Sequence, residues 1–191
     1  MDSTEGADVR SLLSPIVLDC DTISYFLNRH MKNLLLLLGI NCNLFAGSIV
    51  TEEYLDKVAM IESNFNYEAE GDGGKALGAW QMHKAAWDDA CDYARMKDFN
   101  QYNFWFWENT KKDYKQQAMT PEVSRVVVRY YLKLLEERMK ANGRKVTPIG
   151  LYMAYNMGYA GASGYDFSHT ALFLDKKRRS ILARANYILS R

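Results

Sequence analysis

Residues 59–83 read AMIESNFNYEAEGDGGKALGAWQMH. Upstream of and into this stretch, Tyr54, Leu55, Val58, Ile61 and Phe65 recur at helical spacing and define one buried face. Thr51 stands where an N-cap belongs, with Glu52 and Glu53 in the first turn. The apolar pattern then runs into Glu62, one residue past Ile61, and on into a segment carrying Gly71, Gly73 and Gly74. A carboxyl at that inner helix end is partly desolvated, which raises its pKa and keeps it protonated near neutral pH. A protonated carboxyl facing an open loop can donate to a leaving-group oxygen.

Outward from this stretch, the pattern is mostly helical. Residues 64–75 read as a loop or short hairpin. A second helix is expected over about 84–97, and NQYNFWFWENT reads as either a helix or a surface ridge. The sharpest helix signal is Thr120-Pro121-Glu122, a cap, a proline at the first position and an acid in the first turn. That helix stops at Asn142-Gly143, and Thr147-Pro148 opens another that ends at Gly158. A basic amphipathic helix is expected over about 171–190. The fold class is therefore mostly α, with at most a small hairpin beside Glu62.

The chain has 191 residues, about half apolar and a quarter charged, enough for one domain with a core. A net charge of +1 gives no bulk argument for nucleic acid as a partner. Cys20, Cys42 and Cys91 lack metal-ligand spacing, and no phosphate-binding loop, dinucleotide fingerprint or HExxH zinc motif is present. No cofactor or metal enters the reading.

Residues 31–48, MKNLLLLLGINCNLFAGS, have the charged start, apolar run and small-residue end of a secretory signal. Ala46-Gly47-Ser48 fits small-x-small cleavage, leaving Ile49 first. The apolar run is too short for a comfortable membrane span. On this reading, residues 1–30 are an upstream over-extension, 31–48 the signal and 49–191 the domain. The other reading is a buried Leu-rich helix behind a disordered tail. From Ile49 onward, Lys and Arg outnumber Asp and Glu by 21 to 18, a balance suited to a polyanionic envelope.

Three short pieces place polar or aromatic residues at helix ends and tight turns: Glu62-Ser63, Gly78-Ala79-Trp80-Gln81 and Ala154-Tyr155-Asn156-Met157-Gly158. Glycine lets backbone approach a ligand, and the amides of Gln81 and Asn156 both donate and accept, as sugar hydroxyls and acetamides require. In this order, E-S, G-x-x-Q and A-Y-N-x-G resemble the soluble lytic transglycosylase domain of the lysozyme superfamily, over roughly residues 54–191. The resemblance implies a lysozyme-like α+β fold and an exported enzyme of the periplasm or extracellular envelope that acts on peptidoglycan glycan strands. With residues 31–48 removed as a signal, no stable membrane span is expected after processing. Glu62 would be the catalytic acid and base. Ser63, Gly78, Gln81, Tyr155 and Asn156 would line the cleft, and Tyr187 loosely matches a C-terminal family tyrosine.

The match departs from the family in two places. Ala79-Trp80 replaces the usual Leu-Met, so Trp80 either reshapes a subsite or packs in the core. Asp72, six residues before Gly78, resembles the loop aspartate of goose-type lysozymes, linked there to holding water. The resemblance to transglycosylases implies cleavage of the β-1,4 bond between N-acetylmuramic acid and N-acetylglucosamine by one glutamate, giving 1,6-anhydro ends. The alternatives are a hydrolytic muramidase using Glu62 with Asp72, and a non-catalytic glycan-binding module. Residue by residue, plainer readings also stand. Glu62 would be a surface ion-pair residue, Asp72 a turn former, Tyr155 a core residue, and Trp105 and Trp107 packing or rim residues. His83 and His169 have no evident partner, and Lys176-Lys177-Arg178-Arg179 reads as a solvated helix face.

Overall fold

The computed structural model describes residues 47–97, 101–171 and 173–191, and no side chain of residues 101–105. The expected over-extension and nearly all of the expected signal segment lie outside the described residues. Ser48–Arg191 forms one compact unit.

Helix α1 spans Glu52–Ser63, with the Thr51 Oγ1 accepting from the Tyr54 N–H at 3.2 Å. It ends at Asn64, whose φ of 55° is the left-handed cap conformation that asparagine tolerates. Three two-residue strands follow: β1 (Glu70–Gly71), β2 (Ala76–Leu77) and β3 (Met82–His83). They form an antiparallel meander with Glu70 opposite Leu77 and Ala76 opposite His83. The expected hairpin is thus extended by a third strand, too short to carry a period-two pattern.

Among the described residues, the remaining helices are α2 (Lys84–Lys97), α3 (Gln101–Lys112), α4 (Tyr114–Ala118), α5 (Pro121–Ala141), α6 (Pro148–Met157), α7 (Tyr159–Ser163) and α8 (Lys176–Leu189). The aromatic stretch resolves as a helix, α3, whose Trp107 is buried against Tyr130. Thr120 sits at the α5 cap position, but its hydroxyl donates back to the Gln116 carbonyl at 3.1 Å rather than capping. Helix α8 begins at Lys176, later than the periodicity suggests, because Asp175 caps it through the Arg178 N–H at 2.9 Å.

The core gathers around α5, the longest helix among the described residues. Its Val127, Val128, Leu132, Leu135 and Met139 are fully buried, as are Leu55 and Val58 of α1, Trp87 of α2, Leu151 and Met153 of α6 and Leu182 of α8. Removing such side chains from water supplies most of the driving force for folding. Buried indoles keep their N–H partnered. Trp87 Nε1 donates to Thr110 O at 3.0 Å, and Trp80 Nε1 to Leu55 O at 2.9 Å. Trp80 is only 1% exposed, so of its two readings the core one describes it. The Arg125 guanidinium lies over its ring, 5.4 Å from the centroid. Among the described residues, no helix is long and apolar enough to cross a membrane.

Candidate functional site

Glu62 lies in the last turn of α1, where the helix presents its negative end. Its Oε1 accepts the Tyr152 hydroxyl at 2.9 Å and the Asn156 amide at 3.4 Å. Tyr152 and Asn156 are four residues apart on α6 and so share one helix face. From α8, the Arg184 guanidinium donates to the Ile61 carbonyl and adds positive charge near the carboxyl.

These groups pull the Glu62 pKa in opposite directions. Burial, the largest influence, raises it. The Tyr152 and Asn156 hydrogen bonds and the Arg184 charge lower it, and the nearby Asp72 charge raises it. The net result is a pKa above the ordinary carboxylate value. Both donors converge on Oε1, which leaves Oε2 as the oxygen to carry the acid proton.

Glu62 opens onto a cleft of about 510 Å³. Asp72, Gln81, His83, Asp89, Tyr131, Tyr155 and Asn156 also line it. Tyr155 is half-buried, its hydroxyl donating to the Trp80 carbonyl at 2.6 Å and its ring set edge-on to Tyr131 at 5.8 Å. Gln81 has a φ of 49°, and its Nε2 donates to Gly78 O at 2.9 Å and Ala69 O at 3.2 Å. Its Oε1 sits against Gly71, where an added Cβ would meet it at 2.1 Å. The sheet therefore fixes this amide, and both of its N–H groups are already bonded to backbone.

Asp72, at the turn between β1 and β2, has a φ of 48° and an exposed carboxylate. His83 on β3 reaches it, with Nε2 to Oδ2 at 3.0 Å. This corrects the expectation that His83 has no partner. The two residues are brought together by register, since Gly71 pairs with Ala76 and Ala76 with His83.

Three of the expected site residues do not line the cleft. The Ser63 hydroxyl donates to Ala79 O at 2.8 Å and accepts the Asn66 N–H at 3.0 Å, tying the end of α1 to the segment before Trp80. Gly78, with a φ of 73°, lies against the end of α4, where an added Cβ would stand 2.0 Å from Ala118 O. Tyr187 is 57% exposed, its ring covered by the Arg191 guanidinium at 4.0 Å. Sequence reasoning missed Tyr152 and Arg184. The i, i+4 spacing to Asn156 points to Tyr152, whereas nothing local marks Arg184.

The arrangement raises the pKa of a carboxyl that faces the cleft and supplies donors to the carboxylate left when its proton is released. No protein-family model, no curated protein and no solved structure matches this chain.

Proposed function

We propose that this protein is an exported lytic transglycosylase that cleaves the β-1,4 bond between N-acetylmuramic acid and N-acetylglucosamine in peptidoglycan. The observation that carries the reading is Glu62, a desolvated carboxyl with two donors on one oxygen, lining a cleft that Asn156, Tyr155 and Gln81 also line. The order of the three motifs supports the same reading.

In this mechanism, Oε2 of Glu62 protonates the glycosidic oxygen as the bond to the muramic C1 breaks. The substrate's own acetamide oxygen supports the positive charge developing at C1. The Tyr152 hydroxyl and Asn156 amide hold the resulting carboxylate. Glu62 then takes the proton from the C6 hydroxyl as O6 bonds to C1. The products are a 1,6-anhydro end and a free 4-hydroxyl, with Glu62 reprotonated and no water consumed.

A second reading has one observation in its favour. Asp72 lines the same cleft as Glu62, and two carboxylates are what a hydrolytic muramidase uses. Mass spectrometry of digested peptidoglycan separates the readings. Anhydro ends support transglycosylation, free reducing ends transfer the reading to hydrolysis, and an undigested sacculus leaves a glycan-binding module.

A further inference from the structure

The first turn of α8 runs against helix energetics. Lys176, Lys177, Arg178 and Arg179 fill it in succession, at the positive end of the helix macrodipole. Asp175 offsets part of that charge from the cap position. All four cations are exposed, as are Asp175 and Ser180. None of the four has an ion pair among the described residues. Four consecutive helical residues point to all sides of the axis. Their common exposure means that the whole turn projects into solvent, and α8 meets the core only from Ile181 and Leu182 onward. Just before the cap, Phe173 is 90% exposed, while its neighbour Leu174 is 2% exposed and anchors the segment.

We propose that this projecting tip is a peripheral docking site for an anionic lipid bilayer. Phe173 enters the headgroup region, and the four cations meet the lipid phosphates. Charge complementarity selects an anionic partner. The exposed aromatic selects a bilayer over a soluble polyanion, because only the bilayer interface offers an apolar layer beneath its charges. The tip lies on the same helix as Arg184, which holds the carbonyl beside Glu62. Eight residues separate Lys176 from Arg184, about 12 Å at the helical rise. Docking would thus set the cleft at a fixed, short height above the membrane. The inference does not depend on what Glu62 does.

The test is sedimentation of the full chain with phosphatidylcholine vesicles, with and without phosphatidylglycerol. Comparing the two vesicle types isolates the charge effect from any apolar attraction elsewhere in the chain. The parent should bind the phosphatidylglycerol vesicles more tightly, and added salt should weaken that preference. Replacing all four cations with glutamine should lower this binding by about two orders of magnitude or more, on the basis of about fivefold per cation. Phe173→Ser should lower it several-fold, whereas Lys176→Arg with Lys177→Arg should leave it unchanged. The glutamine variant should melt no lower than the parent, since its substitutions are exposed and relieve the macrodipole. Equal binding to both vesicle types, or undiminished binding by the glutamine variant, overturns the proposal. So does a Phe173→Ser protein that binds as the parent does while soluble polyphosphate displaces both.

Discussion

Gly78→Ala tests whether the glycine of the G-x-x-Q motif serves the backbone rather than a ligand. Two effects add. Alanine at a φ of 73° enters the left-handed region, at a cost of about 1–2 kcal/mol. Its Cβ would also stand 2.0 Å from Ala118 O and 3.0 Å from Ala118 C, so the end of α4 must retreat by about an ångström. Overpacking of that kind costs typically about 1–3 kcal/mol, for a total of about 2–5 kcal/mol. At about 2–4 °C per kcal/mol for a chain of this size, the thermal midpoint should fall by roughly 10 °C. Circular dichroism melts provide the measurement. Gly73→Ala is the internal control, because its φ of 66° carries the same backbone cost while no atom lies within 4 Å of the added Cβ. Gly78→Ala should melt well below Gly73→Ala. It should also cleave more slowly when both are folded, because Gly78 O accepts the backbone N–H of Gln81 at 3.1 Å and its side-chain amide at 2.9 Å. Equal midpoints for the two variants would refute the steric argument.

Three further substitutions address the chemistry. Glu62→Gln should lower cleavage about 10²–10⁴-fold, with the fold intact. It should also raise the melting temperature at neutral pH but not below about pH 4, where Glu62 is protonated in folded and unfolded chains alike. The sign follows from the raised pKa, since stability is lost as pH climbs from the ordinary carboxylate value through the raised one and Glu62 ionises in place. A melting difference that is the same at both pH values would contradict this. Tyr152→Phe keeps the buried ring but removes a donor to the carboxylate, so the alkaline limb of the pH–rate profile should move to higher pH. A limb that stays in place or moves down would remove Tyr152 from the site. Asp72→Asn should change the rate little, since asparagine tolerates the turn and can still accept from His83. A loss near 10²-fold together with free reducing ends from the parent would make the protein a hydrolase.

Much of the fold is legible because caps are local. Thr51, Thr120-Pro121 and Thr147-Pro148 mark helix starts, and Asn64, Asn142 and Gly158 lie at the corresponding ends. The short α4 and the third strand are not legible. Five residues and two residues carry too little periodicity, and tertiary contacts hold both in place. The Tyr114 hydroxyl of α4, for example, donates to the Met82 carbonyl of β3 at 2.6 Å. The site divides in the same way. Glu62 and Asn156 stand out through their positions at helix ends. Tyr152 is hidden in an apolar run, and Arg184 acts from a helix more than a hundred residues away. Ser63 and Gly78 look like ligand contacts because polar and glycine residues in loops serve both ligands and backbone. Here their visible partners are Ala79 O and the end of α4. The pairing of Asp72 with His83 requires the register of three strands, which short turns do not announce.

Trp80 joins parts of the molecule that chain order keeps apart. Its indole is bound to α1 through Leu55 O, its carbonyl takes the Tyr155 hydroxyl of α6, and Arg125 of α5 lies over its ring. The helices carrying Glu62 and Asn156 are therefore tied through Trp80 as well as directly through Tyr152, and separating them breaks one buried and one part-buried hydrogen bond at Trp80. The β1–β2 turn, where Asp72, Gly73 and Gly74 stand exposed, contributes Asp72 to the same cleft. The spacing of Glu62 from Asn156 is thus held partly by a residue that belongs to neither helix.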